Sequence, residues 1–322
     1  MAERTNGSGS NREFAQTTDQ SCRNRLLTDA DGEVSRLHQR RRDFLQHEPS
    51  PRYCAQGVLP SDNPRVDQCG QRIHDVGWFG DHAEERYQVA HDYIFSNYVG
   101  RSGQHYPLDF RRFQKEDRCH DLEIPFKDHT VLTCDLIEGV GAQGIAGTFA
   151  FDRSFTKATI LNHMHGKTLG NGPGRGSGGS RKFHRKLAYR GRTVKATDLA
   201  ARLAPELRKR LRAGDNEQWD FTGTLRLPDV KHTVRLVLLG KERAETQARI
   251  MRVTNRVSGE ASRVVRSYRD RWTGTETFPR DGKQPLGRGD GQLRDGAGHT
   301  RPRHLVRLAY RLLMKHRRQG PA

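Results

Sequence analysis

The sequence predicts a mixed α/β domain that carries a β-rich insertion, and three observations predict it. Over the first half of the chain, short apolar runs rich in aromatic and β-branched residues alternate with helix-spaced segments, in the order strand, hairpin, helix, strand, helix. Between residues 219 and 254 three strand-like runs follow one another with no obvious helix between them. A long helix-spaced segment then begins at Ser258. With 322 residues the chain is long enough for one large or two modest domains with a sizeable core.

The elements follow in order. Residues 1–28 are polar and rich in Ser, Thr, Asn and Gly, the composition of a disordered segment. Residues 29–56 hold a short helical remnant, with Val34, Leu37 and Leu45 set among charges. The first part of the core spans 57–169. There Gly57-Val58-Leu59 reads as a strand ending in Asp62, with Pro60 and Ser61 as interruptions. His91–Val99 is aromatic and β-branched and reads as a strand. A turn at Arg101–Gln104 and the alternation of Tyr106, Leu108 and Phe110 complete a hairpin. Val131–Val140 has helical spacing. Thr148–Phe151 reads as a buried strand ending in Asp152, and Ser154 as the cap of a helix carrying Ile160, Leu161 and Met164.

Residues 170–255 read as a Gly-rich loop and a β-rich insertion. Six of the ten residues 170–179 are glycine, which predicts a mobile loop. Residues 181–192 hold six Lys or Arg and no acid. Asp198–Leu211 has helical spacing, and Trp219–Leu227, Thr233–Leu239 and Arg249–Thr254 read as strands. The span 256–298 contains the long core helix. Residues 299–322 form a basic C-terminal helix with Leu305, Leu308, Leu312 and Leu313 on one face.

Charge narrows the partner. The net charge is +19 and the isoelectric point about 10.2, a balance that favours a polyanion, with nucleic acid the default. No segment has an apolar face large enough for a membrane surface, and no run approaches the roughly 20 apolar residues of a membrane span. The N-terminus lacks the apolar region of a signal peptide. Hydrophobic residues make up only 33% of the chain and mean hydropathy is −0.90, so part of it is not expected to pack. Five scattered cysteines without a Cys-x-x-Cys pair read as free thiols in a reducing cytoplasm.

The order of elements is that of a ribonuclease H-like mixed sheet with flanking helices. Asp62 would end the first strand, Asp152 the fourth, and Glu276 would lie on the late helix. Acids at the ends of adjacent central strands converge, and a helix packed nearby supplies the third. Three carboxylates at such a point suit two Mg²⁺ or Mn²⁺ ions, with all three acids as both metal ligands and catalytic residues. Asp67 and Asp75 lie close enough in sequence to compete with Asp62. Glu276 itself lies among Tyr268, Arg271, Arg280 and Lys283, groups suited to gripping phosphate. Glu276 and Lys283 are seven positions apart, which puts them about 20° apart around a helix. Trp272 reads as a core anchor.

The run from Tyr268 to Lys283 resembles the Tyr-Arg-Glu-Lys signature of bacterial insertion-sequence transposases of the DDE type, in the insertion-sequence-four superfamily. Neighbouring words are similar too: Arg271-Trp272, Arg280-Asp281-x-Lys283-Gln284-x-Leu286-Gly287 and Asp290-x-Gln292-x-Arg294. So are Ile73–Phe79, Asp81–Arg86, Ala90–Tyr93, Phe110–Phe113 and Leu161–His163. The resemblance runs from about residue 57 to 315. It implies cleavage and strand transfer at the ends of an insertion sequence, in the bacterial cytoplasm at the nucleoid. Asp62, Asp152 and Glu276 would be catalytic, and Tyr268, Arg271, Arg280 and Lys283 would contact double-stranded DNA in a dimer bound at transposon ends and target.

Other features point elsewhere. Only 61 residues precede Asp62, short for a separate DNA-recognition region. Pro279 sits three residues after Glu276, where it is expected to break the helix, and Pro302, Arg303, Arg307 and Arg311 fall near the apolar face of the tail. Two alternatives therefore stand: a decayed copy that binds DNA without cutting it, and a basic nucleic-acid-binding protein with no nuclease ancestry. Gly166-Lys167-Thr168 resembles the end of a phosphate-binding loop, but its glycines follow rather than precede it. His163 and His165 are two apart and unsuited to sharing one zinc ion.

Overall fold

Strand β1 (Val58–Asp62) lies inside the main sheet, and its two neighbours define the topology. On one side it pairs antiparallel with β4 (Arg86–Val99), Val58 opposite Val99 and Asp62 opposite Phe95. On the other it pairs parallel with β6 (Thr148–Phe151), Val58 opposite Thr148 and Pro60 opposite Ala150. Antiparallel β5 (His105–Phe113) extends the sheet beyond β4, and parallel β7 (Arg175–Ser180) extends it beyond β6. Across this half the order is thus β5-β4-β1-β6-β7. The computed structural model describes residues 36, 39, 40, 43, 57–68, 73, 75–81, 85–100, 103–166, 175–180, 186–189, 191–195, 198–199, 202, 209–213, 216–240, 250–258, 260–283 and 296–319.

Beyond β7 the sheet continues antiparallel through β13 (Ile250–Thr254), β12 (Val234–Gly240), β11 (Asn216–Leu225) and β10 (Lys209–Ala213). Short strands β2 (Arg65–Asp67) and β3 (Gly77–Asp81) pair with the outer half of β4. A separate hairpin joins β8 (Lys186–Tyr189) to β9 (Arg192–Lys195) through Gly191, whose φ of 74° is open to glycine. The main sheet is mixed, and with the helices the fold is α/β.

Both faces of the central strands are covered, so β4 reads as a nearly continuous apolar run: Tyr93, Ile94, Phe95, Tyr98 and Val99 are all buried. Residues of β1 alternate between the faces. Leu59 points to the side of α2 (His129–Ala142) and α3 (Ala158–Gly166), where Leu136, Ile137, Val140, Ile160, Leu161, Phe149 and Phe151 form the main core. The Asp128 side chain caps α2 by accepting from the Val131 N–H. Short α1 (Glu116–Asp121) precedes α2. Val58 and Pro60 point the other way, to α4 (Ala261–Lys283). At Gly274 a Cβ would come within 2.7 Å of Pro60 Cγ and 2.9 Å of Val99 Cγ2, so the α4 backbone rests directly on β1 and β4. The Asn97 amide fixes that contact by donating to the Gly274 carbonyl.

The structure corrects several sequence expectations. Strand β1 runs unbroken through Pro60 and Ser61, because Ser61 and Asp62 keep their pairing to β4 and Pro60 its place opposite Ala150. Five of the residues expected in a mobile loop fall in β7, held between β6 and β13 on both sides; two flanking ladders outweigh the weak strand propensity of Gly and Ser. Helix-spaced Asp198–Leu211 ends in β10, which begins at Lys209 and pairs with β11. Ser154 does not cap α3, which begins four residues later; it donates to Asp152 instead. The α4 helix continues through Pro279 to Lys283. Residues 1–28 lie outside the described residues, and within 29–56 only Arg36, Gln39, Arg40 and Asp43 are described, all helical.

The C-terminal helix α5 (Gly296–Gln319) is turned the opposite way from its leucine pattern. Leu305, Leu312 and Leu313 are exposed, while His304, Arg307, Tyr310 and Arg311 are buried. What α5 meets explains this. The Pro107 carbonyl on β5 accepts from Arg311 Nε at 3.1 Å and Nη2 at 2.6 Å. Arg307 lies 4.0 Å over the Phe110 ring and Arg303 4.0 Å over Tyr93. His105 bonds the Tyr310 hydroxyl. A surface of rings and a spare carbonyl prefers planar cations to leucine. No described helix is long and apolar enough to cross a membrane.

Candidate acidic site and nucleic-acid interface

Asp62 and Asp152 sit at the same end of adjacent parallel strands. Continuing the β1–β6 register by two residues sets Asp152 opposite Asp62, across a strand spacing of about 4.8 Å. Asp62 Oδ1 accepts from the Asn63 N–H at 3.0 Å, and its Oδ2 lies 3.3 Å from Arg271 Nη1. Asp152 Oδ1 accepts from the Ser154 N–H at 2.7 Å and hydroxyl at 2.6 Å, while the Thr156 hydroxyl donates to its backbone carbonyl at 3.0 Å. Both side chains are half-buried. The rival Asp75 is a structural acid: its side chain is fully buried, 2.6 Å from Arg112 and 3.6 Å from Arg118. Asp67 is exposed on short β2.

Helix α4 supplies the basic wall. Arg271 is 5% exposed and reaches Asp62 from the packed face of the helix. Tyr268 is half-buried, with Arg252 of β13 3.3 Å over its ring and Arg271 5.0 Å away. Trp272, expected in the core, is instead 61% exposed: it falls one position past the stripe of Ala261, Val264, Arg271 and Thr275 that packs. Glu276, Arg280 and Lys283 have helical backbone on α4, but their side chains lie outside the described residues.

The donor set suits a hard divalent cation, since two ionised carboxylates are the ligands Mg²⁺ and Mn²⁺ prefer. Oδ1 of each acid already accepts a hydrogen bond, and Oδ2 of Asp62 faces Arg271. Among the described residues no group of three or more His, Cys, Asp or Glu could hold a metal ion, and the Glu276 carboxylate is not among them.

Cys119 and Cys134 are free thiols, and burial first, then neighbouring acids, pushes the Cys134 thiol up to about 11. His163 Nε2 is 3.2 Å from Glu138, and His165 stacks on His232 at 3.9 Å, so the two histidines of α3 go to separate partners. Sequence reasoning missed one pair. Asp92 of β4 is 1% exposed and lies 2.8 Å from His129 Nε2 at the start of α2. No sequence signal joins residues 37 apart in different elements; only the docking of α2 on β4 and β5 brings them together. No protein-family model and no curated protein matches the chain.

Proposed function

We propose that the chain is a DDE-type transposase with a ribonuclease H-like core, which cleaves DNA at the ends of an insertion sequence and joins them to a target. The observation that carries the reading is that Asp62 ends β1 and Asp152 directly follows β6, its parallel neighbour. The strand order β5-β4-β1-β6-β7 supports it, as does the antiparallel block that lies between β7 and α4 in sequence. The +19 charge supports a polyanionic partner.

In this reading Asp62 and Asp152, with Glu276, would hold two Mg²⁺ or Mn²⁺ ions. Such ions lower the pKa of water or a 3′-hydroxyl and neutralise charge at the phosphate. Arg271 holds the Asp62 carboxylate in place and offsets its charge, which lessens its repulsion of the DNA backbone. The Ser154 hydroxyl and N–H orient Asp152. Tyr268, Arg280 and Lys283 contact DNA phosphates, and Trp272 offers an exposed ring on the same helix. The protein acts as a dimer on double-stranded DNA.

One observation favours a second reading, DNA binding without cleavage: a buried arginine already occupies Asp62 Oδ2. A single assay separates the two. The purified chain is incubated with DNA carrying the element's terminal repeats and Mg²⁺ or Mn²⁺. Nicks at the ends support transposition, salt-sensitive binding without nicks supports the second reading, and absence of both overturns each of them.

A further inference from the structure

At the same end of the sheet, on the α2 and α3 side, lies a cavity of about 410 Å³. Its rim touches both acids' neighbours: Asn63 and Ser154 line it, and each donates to Asp62 or Asp152 respectively. The cavity itself uses other residues. Asp92 lines it, 1% exposed, with Oδ2 engaged by His129 and Oδ1 without a hydrogen-bond partner among the described residues. A buried carboxylate oxygen left without a donor is costly, so it marks a place for a ligand N–H.

Two further features restrict that ligand. Arg65 and Lys157 line the cavity as cations. Lys157 spends one N–H on the Thr130 hydroxyl at 2.8 Å and has two more to offer. Arg65 gives one guanidinium N–H to the Gly80 carbonyl and keeps the rest of its fork. Flat rings complete the walls: Phe79, and Phe113 with His129 stacked on it at 4.1 Å. A ligand with a flat ring, an N–H donor at one edge and an anionic end fits these groups.

We propose that this cavity binds one nucleotide, its base donating an exocyclic amino group to Asp92 Oδ1 and its phosphate meeting Arg65 and Lys157. Cytosine, adenine and guanine carry such an amino group. Thymine offers only an imide N–H between two carbonyls, which the carboxylate repels. The nucleotide is either free or an unpaired unit of a DNA strand. The site uses neither Asp62 nor Asp152 and stands apart from the cleavage reading.

Calorimetric titration of the full chain tests it, using dCMP, dAMP, dTMP and deoxyribose 5-phosphate at fixed salt. The expected order has dCMP and dAMP about tenfold tighter than dTMP, with the sugar phosphate weakest. Lys157→Ala, at an exposed position, should weaken every nucleotide about tenfold. Asp92→Asn, whose amide can donate to a thymine carbonyl, should narrow or reverse the preference for dCMP. A duplex with one unpaired cytosine, compared with its fully paired parent, identifies the source: tighter binding of the former assigns a DNA unit, equal binding a free nucleotide. The proposal is overturned if no mononucleotide binds, if dCMP binds no better than deoxyribose 5-phosphate, or if Lys157→Ala changes nothing.

Discussion

Asp62 and Asp92 stand on opposite faces of one sheet, each held by a basic residue from a helix, and they differ in what surrounds them. The Asp62 side chain is 26% exposed and its partner Arg271 is buried. Asp92 is 1% exposed and its partner His129 is one-third exposed. On the α4 face the cation is sealed and the acid reaches water; on the α2 face the acid is sealed and the base reaches water. An acid open to solvent can exchange its partner for another cation, as a metal ligand must. A sealed acid depends on the partner it has. The same pairing of an acid with a basic side chain thus leaves one acid open to solvent and holds the other as a fixed acceptor.

Removing each partner sharpens that contrast. His129→Leu should cost about 3 kcal/mol of unfolding free energy in urea, because it strands a fully buried carboxylate. Arg271→Leu should cost less, about 1–2 kcal/mol, because Asp62 can hydrate. Equal losses would show that exposure does not separate the two acids. Gly274→Ala should follow at about 1 kcal/mol: the added methyl lifts α4 from Pro60 and Val99, partly offset by better helix propensity. A stabilised variant would mean that α4 does not rest on β1.

The smallest effect is pH-dependent and lies away from both acids. Burial, and then the neighbouring His165, lower the pKa of His232 below its ordinary 6.5. Below that value the unfolded chain takes up protons that the folded chain refuses, so this stability is present above pH 6.5 and lost as pH falls through the lowered pKa. Thermal melts between pH 7 and 5 should drop for the native chain, and less for His232→Phe.

Much of the frame was legible because period and burial agree there. The aromatic run His91–Val99 and the alternation Tyr106–Phe110 became β4 and β5, and Val131–Val140 became the middle of α2. Asp62 and Asp152 were found at strand ends because short apolar runs lead into both. What failed depended on partners distant in sequence. Gly176, Gly178 and Gly179 look like loop until β6 and β13 flank them. Arg307 and Arg311 look misplaced until β5 presents Phe110 and the Pro107 carbonyl. The Asp92–His129 pair had no local signature, and Trp272 lies one residue past the packed stripe.

The most direct test of the account compares Mn²⁺-dependent nicking of terminal-repeat DNA by the native chain, Asp62→Asn and Asp152→Asn, with duplex binding measured alongside. The account predicts nicks at the ends from the native chain, none from either variant, and nearly unchanged salt-sensitive binding in all three. Nicking that survives in both variants, or binding without nicks in the native chain, would contradict it.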